Sequence, residues 1–311
     1  MTGLRAGMSI VIPFYGDPAR TMPLIDALKS QSTDFDTEII IADDESPLPF
    51  PTTAGVTVTR RVRNGGFGSA VNAGAALARF DHLLVLNSDV VIEDGFLASL
   101  HEAAEPLMPA VISPDVVDEH GHPHSTARHY PRLRHHLTIA LSPLARFRST
   151  NAWREAVGHD TRARSGEVLG VDWVVGAVML LPTAEFRAVH GFDEGFYMNS
   201  EEIDLQRRLR RRGVPSIYLG TVSIEHEGGG SSDSSKRRGW VVAGTLQYSR
   251  KWGGRPLEFA HRMVLTGASL ANFGVNAGRR VLGRDLAPRH IFKTEVHHAW
   301  QPLPHSGRES L

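Results

Sequence analysis

The apolar residues of this chain come in short unbroken runs, and amphipathic stretches separate one run from the next. Three runs are typical of buried strands and a fourth segment alternates as a strand does: 8–13, 38–42, 82–86 and 56–62. The spacing between them predicts two helices, one capped by Thr21 and one of small residues over 68–79. Strands that alternate with helices and are apolar throughout indicate a mainly parallel α/β sheet with helices on both faces.

The pattern changes in the second half of the chain. Residues 115–170 hold seven histidines, many arginines and little periodicity, which favours an insertion or lid of short helices that contacts an acceptor. Order returns with an apolar strand at 171–181 and a helix at 200–212 that ends at Gly213. Two strands are expected at 216–219 and 222–226, then a flexible loop at 227–235 and a mainly helical part from Trp240, with a loose end.

This organisation predicts one catalytic domain at 1–235 and a basic, helical extension at 236–311. The extension carries 13 Lys and Arg against 4 Asp and Glu, although the whole chain has no net charge. Because the whole chain has no net charge, we expect no nucleic-acid partner. The extension is either a solvated helical appendage or a surface that contacts anionic lipid.

Two further features limit the protein class. The 311 residues include no cysteine, which excludes disulfides and thiolate chemistry. The apolar stretch at 263–278 is too short and too polar to span a bilayer, and no leader sequence is evident. We expect a cytoplasmic protein, peripheral at the inner face of the plasma membrane when it contacts lipid.

Polar residues collect where the predicted strands end. Asp43 closes the second strand, Arg63 and Asn64 follow the third, and the segment 87–89 follows the fourth. Ligands of such sheets bind beyond the carboxyl ends of the strands. Further along the chain lie the acidic helix start 201–204 and His226. Carboxylates with one imidazole can hold a divalent ion and leave one carboxylate as a base, which suits transfer of a group activated as a diphosphate ester.

Six segments of the chain, in order, resemble the inverting family 2 glycosyltransferases with a GT-A fold, and among these the bacterial rhamnosyltransferases of cell-wall linker and O-antigen synthesis. They are IVIPFY, ADDES, RNGGFGSAVNAG, LVLNSDV, VDWVVGAVMLL and GFDEGFYMNSEEIDL, spread over 10–226. The resemblance implies a Rossmann-like sheet and a metal-dependent glycosyltransferase. It also implies a pyrimidine nucleotide sugar, dTDP- or UDP-linked, as donor, with dTDP-rhamnose expected. The acceptor would be a glycan or polyprenyl-linked saccharide. The sequence leaves open whether the protein forms a homo-oligomer.

The resemblance also implies roles for individual residues. Asp43 matches the carboxylate that accepts from the pyrimidine ring, and Glu202 occupies the position of the catalytic base. Asp89 and His226 would bind Mg²⁺ or Mn²⁺. The remaining matches are nucleotide-sugar contacts: Arg63, Asn64, Gly68, Asn72, Asn87, Ser88, Trp173 and Gly176.

Two positions depart from the family pattern. Asn87 replaces the first Asp of the metal motif, and Glu202 replaces the usual Asp, which shifts the carboxylate by about one bond length unless the backbone, Glu201 or Asp204 compensates. These departures leave open a catalytically inactive, sugar-nucleotide-binding scaffold. A nicotinamide-dependent oxidoreductase is a third reading, but the glycine loop 65–68 follows the third strand and not the first.

Each site residue also has a purely structural interpretation. Glu202 could form a capping box with Asn199, because acidic side chains favour helix starts. Asp43 could shape an Asx turn. His226 could be an ordinary histidine at the end of a strand, and the run at 120–124 lacks the partner set of a metal site.

Overall fold

The computed structural model describes residues 3–226 and 234–303. The contacts group the chain into two compact units. Unit 1 comprises Met1–Arg128 and Arg162–Ser232, and unit 2 comprises His129–Thr161 and Asp233–Leu311. The domain limits expected from the sequence stay a prediction, and the contacts add that 129–161 belongs with the C-terminal helices. The loop expected at 227–235 falls mostly outside the described residues, and so does most of the expected loose end.

The strands, in chain order, are β1 Arg5–Phe14, β2 Thr37–Asp43, β3 Val56–Arg60, β4 Phe80–Leu86, β5 Val90–Val91, β6 Val111–Val117, β7 Ala127–Arg128, β8 Val168–Val171, β9 Trp173–Val174, β10 Val178–Pro182 and β11 Ser216–His226. The helices are α1 Met22–Ser30, α2 Phe67–Ala75, α3 Phe96–Ala104, α4 Leu133–Ala140, α5 Asn151–Ala156, α6 Thr183–Ala188, α7 Glu201–Arg210, α8 Ser234–Val281 and α9 Pro288–Trp300. Short 3₁₀ turns lie at Pro18–Arg20, Glu105–Leu107 and Ser142–Phe147.

Within residues 3–226, nine strands form one mixed sheet in the order β3-β2-β1-β4-β10-β6-β11-β5, with β8 paired to β11. The pairs β3–β2, β2–β1, β1–β4 and β6–β11 are parallel, whereas β10 runs antiparallel to both β4 and β6. The expected mainly parallel sheet is therefore confirmed. Strand β10 is reversed within the sheet, and the short strands β5 and β8 run antiparallel to β11. The sequence pattern does not predict these reversals.

The strands β1, β4 and β10 are buried on both faces because apolar residues occupy most of their consecutive positions. Along β1, Ile10 and Ile12 belong to a hydrophobic cluster with residues of α1 and α3. Val11 points to the other face and joins a second cluster with residues of α2, α6 and α7. Side chains of a strand alternate between faces, so only a sheet covered on both sides uses such a sequence without exposing apolar groups.

Most predicted elements of unit 1 lie within a few residues of the observed ones, and three differ. The strand expected at 171–181 is wrong as a single element, since the chain forms β8, β9 and β10 there. The two strands expected at 216–226 are one strand, β11, with an irregular register between Leu219 and Ser223. Thr21 precedes α1 as expected, but its side chain makes no capping hydrogen bond.

A buried glutamine of α7 explains the break in the 171–181 segment. The side-chain Nε2 of Gln206 donates to the carbonyl oxygen of Val174 at 2.7 Å, and its Oε1 accepts from the amide of Val174 at 2.8 Å. Strand β9 thus pairs with β7 through Trp173 and Val174, while the amide and the carbonyl of Val174 bind Gln206. The segment then turns at 175–177 and enters the main sheet as β10.

Unit 2 is helical. Helix α8 is interrupted at Gly254, whose φ of +70° breaks the helix before Pro256. Asn272 of α8 donates to the carbonyl oxygen of Ala140 at 2.7 Å and accepts from the amide of Ser142 at 2.9 Å, which closes the end of α4. Across the described ranges, no helix combines the length and the apolar composition needed to cross a membrane.

We expect Gln206→Ala to lower the free energy of unfolding by about 2–4 kcal/mol, because it leaves the amide and the carbonyl of Val174 buried without partners. Urea denaturation followed by circular dichroism measures the change. The exposed α7 neighbour Arg211, replaced by Ala, is the control and should cost less than about 0.5 kcal/mol. Equal stabilities of the two variants would show that β9 does not depend on this side chain.

Candidate active site

The carboxyl ends of β1, β2 and β4 lie at one edge of the sheet because these strands are parallel. Phe14 is level with Asp43, and the antiparallel strand β10 begins at Val178, level with Leu86. The amide of Asn87 then donates to the carbonyl oxygen of Ala177 at 2.9 Å. The segment after β4 and the turn before β10 are therefore fixed side by side.

A polar cluster forms where β4 ends. The Nε2 atom of His226 lies 3.0 Å from Oδ1 of Asp89 and 3.3 Å from Nδ2 of Asn87. Strand β5 brings these residues together, since Val90 pairs with His226 at the end of β11. The ring of His124 packs edge-on against His226 with centroids 5.6 Å apart. The structure thus places the predicted metal ligands, Asp89 and His226, in direct contact.

The electrostatics of this cluster favour a charged carboxylate. Burial alone would raise the pKa of the Asp89 carboxyl, but the hydrogen bond and the charge of His226 outweigh burial and hold that pKa below its usual value. Burial lowers the pKa of His124, and the nearby charge of His226 lowers it further. The cluster therefore offers one ionised carboxylate and one imidazole at the edge where β1, β2 and β4 end.

A second pair of carboxyl groups lies at the start of α7. Burial raises the pKa of the Glu201 carboxyl to about 8, and the charge of Glu202 adds to that shift. Burial also raises the pKa of the Glu202 carboxyl, while a backbone amide and then the charge of Arg128 oppose it. Among the described residues, no donor reaches Oε2 of either group, although both atoms are buried.

The backbone before α7 is unusual, because Asn199 and Ser200 have φ values of 70° and 72°. Consecutive non-glycine residues in the left-handed region are uncommon and are found at functional sites. Ser200 occupies the cap position and makes no side-chain capping bond. The capping box between Asn199 and Glu202 is therefore not the arrangement that forms.

Short contacts join this helix start to the rest of the edge. A methyl group on Gly176 would lie 3.6 Å from Cβ of Glu202 and 3.7 Å from the ring of Phe67. The next residue, Ala177, accepts the hydrogen bond from the amide of Asn87. The turn that contains Gly176 and Ala177 therefore has the buried carboxyl groups on one side and the Asp89 cluster on the other. The structure thus brings Asn87, Gly176 and Glu202 into one neighbourhood.

Asp43 lies in the interior at the end of β2, and both of its carboxylate oxygens have partners within the protein. Its side chain is fully buried, with Oδ1 accepting from the amide of Ser46 at 2.7 Å and Oδ2 accepting from the amide of Phe50 at 3.0 Å and from Arg60. These bonds are those of a turn-forming aspartate, the alternative given by the sequence. Both oxygens of Asp43 thus have internal partners, and the expected contact with a nucleotide base stays a prediction.

The neighbouring Asp44 joins the second strand to the glycine loop. Its carboxylate accepts from the amides of Gly65 and Gly66, at 3.0 Å and 2.7 Å, and from Arg61 at 2.6 Å. Gly66 has a φ of +84°, and any side chain there would overlap the carbonyl oxygen of Tyr197. Sequence reasoning singled out Asp43 and overlooked Asp44, although the two are adjacent in one motif.

Asn72 also serves the interior of the protein. Its Nδ2 donates to the carbonyl oxygen of Phe192 at 2.9 Å and to Glu194 at 3.2 Å, and its Oδ1 accepts from the amide of Phe192 at 2.8 Å. Gly191 is required beside it, since a side chain there would overlap Oδ1. Asn72 thus joins α2 to the turn that leads to α7, and its expected contact with the nucleotide sugar stays a prediction.

The remaining predicted contacts lie on the loops of the same edge. Arg63 is exposed, and the amide of Asn64 donates to Glu45 at 2.8 Å. Oδ1 of Asn64 is buried with no donor among the residues that the structure describes. Ser88 is half-buried between Asn87 and Asp89.

Gly68 and Trp173 affect how neighbouring elements pack at this edge of the sheet. A methyl group on Gly68 would lie 2.8 Å from Cβ of Phe192, so only glycine allows α2 to pack this closely. The guanidinium of Arg128 lies 6.0 Å from the ring centre of Trp173, level with it across β7 and β9. The sequence did not indicate Arg128 as a site residue. In the structure its charge favours the ionised form of the Glu202 carboxyl.

The chain is similar in sequence to proteins of one known family. Residues 9–165, slightly more than half of the chain, match the family Glycosyl transferase family 2. N-acetylglucosaminyl-diphospho-decaprenol L-rhamnosyltransferase of Mycobacterium tuberculosis is 29% identical over 215 residues, which cover 63% of this chain and 68% of that protein.

Two solved structures share the fold. The mannosyltransferase PcManGT from Pyrobaculum calidifontis, in complex with GDP-Man and Mn²⁺, has a TM-score of 0.55 at 12% identity and is matched over 95% of this chain and 86% of its own. GalNAc-T7 with UDP, GalNAc and Mn²⁺ has a TM-score of 0.52 at 15% identity, over 80% of this chain and about half, 51%, of its own. The expected GT-A fold is confirmed, and the chain belongs to glycosyl transferase family 2.

Proposed function

We propose that this protein is an inverting, metal-dependent glycosyltransferase that takes a sugar from a pyrimidine nucleotide sugar, with dTDP-rhamnose as the donor. The observation that carries the proposal is that the Asp89–His226 cluster, with its ionised carboxylate, and two buried carboxyl groups lie on either side of a single turn of chain. Transfer with inversion needs both parts: charge stabilisation for the leaving diphosphate and a base for the attacking hydroxyl. The name of the mycobacterial relative supports rhamnose as the sugar.

The donor set of the cluster fits a divalent cation. Asp89 supplies an ionised carboxylate, His226 an imidazole nitrogen and Asn87 a side-chain amide. Mg²⁺ and Mn²⁺ at such sites take few protein ligands and complete their shells with phosphate oxygens and water. When bound, the ion would stabilise the negative charge that develops on the nucleoside diphosphate. The edge-on packing of His124 holds the ring of His226 in place for this role.

The pKa directions support Glu202 as the base. A carboxyl with a pKa of about 8, as at Glu201, is mostly protonated at neutral pH and cannot accept a proton. Glu202 is ionised in preference because the charge of Arg128 favours its anionic form, and its anionic charge in turn keeps Glu201 protonated. A base whose pKa is raised toward neutrality is well matched to removing a hydroxyl proton.

The nucleotide would bind where β1 and β2 end. Tyr15 follows β1 and is half exposed, and Tyr197 lies near both Tyr15 and Asp44. Burial raises the pKa of Tyr197, and the charge of Asp44 raises it further. We assign the aromatic surface to contact with the pyrimidine, with Asp43 and Asp44 fixing the shape of the pocket from inside.

The acceptor would be a lipid-linked saccharide reached at the inner face of the plasma membrane. The name of the mycobacterial relative includes such an acceptor, a diphospho-decaprenol carrying N-acetylglucosamine. In unit 2, three exposed apolar side chains follow one face of α8 at helical spacing: Phe259, Met263 and Leu270. Together with the basic composition of the C-terminal part, they support contact with an anionic bilayer surface.

Glu202→Gln should lower kcat for release of nucleoside diphosphate from dTDP-rhamnose by roughly 10²–10⁴-fold, because the attacking hydroxyl loses its base. Glu202→Asp should recover part of the activity, since it keeps the carboxylate but withdraws it by about one bond length. The exposed Glu119, replaced by Gln, is the matched control and should act as the wild type does. Full activity of Glu202→Gln would disprove the assignment.

Donor binding should depend on Asp89. In the presence of Mn²⁺, dTDP-rhamnose should raise the Tm of the wild type by mass action, and Asp89→Asn or removal of the metal with EDTA should abolish most of the increase. Asp94, an exposed carboxylate five residues away, replaced by Asn, should leave the increase intact. A donor-induced rise without turnover on any acceptor would favour the scaffold alternative, and the same rise in Asp89→Asn would remove the metal role.

The buried Glu201 predicts a pH dependence of stability. Its folded pKa of about 8 exceeds the usual 4.5, so the folded protein retains a proton that the unfolded chain releases between these values. The free energy of unfolding should therefore fall as pH rises from about 4.5 to about 8. Glu201→Gln should lose this pH dependence. Its free energy of unfolding relative to that of the wild type should therefore rise by at least about 1 kcal/mol between pH 4.5 and pH 8. Urea denaturation at several pH values measures it, and parallel curves for the two proteins would contradict the expectation.

A further inference from the structure

A second cluster of metal-binding side chains lies at the other end of β4. His82 stands near the start of this strand, and His101 and Glu105 stand one turn apart at the end of α3. One ligand atom from each of the three lies within 4.8 Å of the other two. Five residues of strand separate His82 from Asn87, roughly 16 Å. The cluster is therefore distinct from the Asp89–His226 site.

The two separations that involve Glu105 are near those of tetrahedral coordination. The Nε2 atoms of His82 and His101 lie 3.4 Å and 3.8 Å from Oε2 of Glu105. Ligand bonds of about 2.0–2.1 Å at tetrahedral angles place neighbouring ligand atoms about 3.3 Å apart. The first separation is already close to this length, and the second exceeds it by about half an ångström. Glu105 is largely exposed, which gives the ion a path from solvent.

The surroundings orient both imidazoles with Nε2 toward the cluster. Nδ1 of His82 lies 3.2 Å from Oδ1 of Asp81, an oxygen that also accepts from the amide of Gly7 at 3.0 Å. A carboxylate on the far nitrogen of a metal-binding histidine fixes the tautomer and strengthens the ligand. The ring of His101 stacks on Phe35 with centroids 4.3 Å apart. Neither ring needs to be reoriented for coordination.

We propose that His82, His101 and Glu105 bind a zinc-type divalent ion, with water in the fourth position, and thereby fasten the start of β4 to the end of α3. Two imidazoles and a carboxylate suit Zn²⁺ rather than Mg²⁺, which takes oxygen ligands. The simpler reading is that Glu105 forms ion pairs with protonated histidines, in which case no ion binds. The two readings differ in their response to added metal.

The test is a titration of the metal-free, full-length protein with Zn²⁺. Excess Mg²⁺ is present so that it competes with Zn²⁺ for the Asp89 site. We expect calorimetry to show one Zn²⁺ bound per chain, and we expect Tm to rise on binding. When Co²⁺ replaces Zn²⁺, the bound Co²⁺ should show the visible absorption bands of a low-symmetry site. His101→Phe keeps the stacking on Phe35 but removes the ligand nitrogen, and should abolish all three signals. Asp81→Asn should weaken binding by roughly 10–100-fold.

Two controls exclude other sites. The exposed His120 and His122, replaced together by Ala, should leave Zn²⁺ binding unchanged. Asp89→Asn should also retain it, and His101→Phe should retain glycosyl transfer with Mg²⁺, so that the two sites are tested independently. Equal Zn²⁺ affinity of the wild type and His101→Phe, or no binding by the wild type, would overturn the proposal.

Discussion

The site depends on one constraint, the antiparallel alignment of β10 with β4. The hydrogen bond from the amide of Asn87 to the carbonyl oxygen of Ala177 continues this alignment past the end of β4. It fixes the segment that carries Asp89 against the turn that carries Gly176 and, beside it, Glu202. A parallel β10 would place that turn at the opposite edge of the sheet, and the two groups of acidic residues would not meet.

The two groups of acidic residues have opposite electrostatic environments. Asp89 has an imidazole partner that more than offsets its burial, so it stays charged. Glu201 has no such partner among the described residues, and burial with a like charge beside it keeps it protonated near neutrality. Environments that move pKa values apart in this way let neighbouring carboxyl groups take different roles. Here they separate a residue suited to a cation from a residue suited to a proton.

Several polar side chains of the recognised motifs turn out to serve the protein's own backbone. Asp43 holds the turn after β2, Asp44 holds the glycine loop, and Asn72 holds the turn before α7. Buried polar groups must be hydrogen-bonded, and loops at a sheet edge offer many unpaired amides. A motif therefore contains residues that build the pocket as well as residues that face the ligand, and residue type does not distinguish them.

The sequence by itself determined β1 to β4, the helices α1, α2 and α7, and the collection of polar residues where the parallel strands end, because apolar periodicity and the order of elements are local properties. It also gave Asp89, His226 and Glu202 as candidates. Only the tertiary structure decided that β10 is reversed, that 129–161 packs with the C-terminal helices, and that both oxygens of Asp43 are already bonded. Those outcomes depend on contacts between residues far apart in the chain, such as Gln206 with Val174, which no local pattern records.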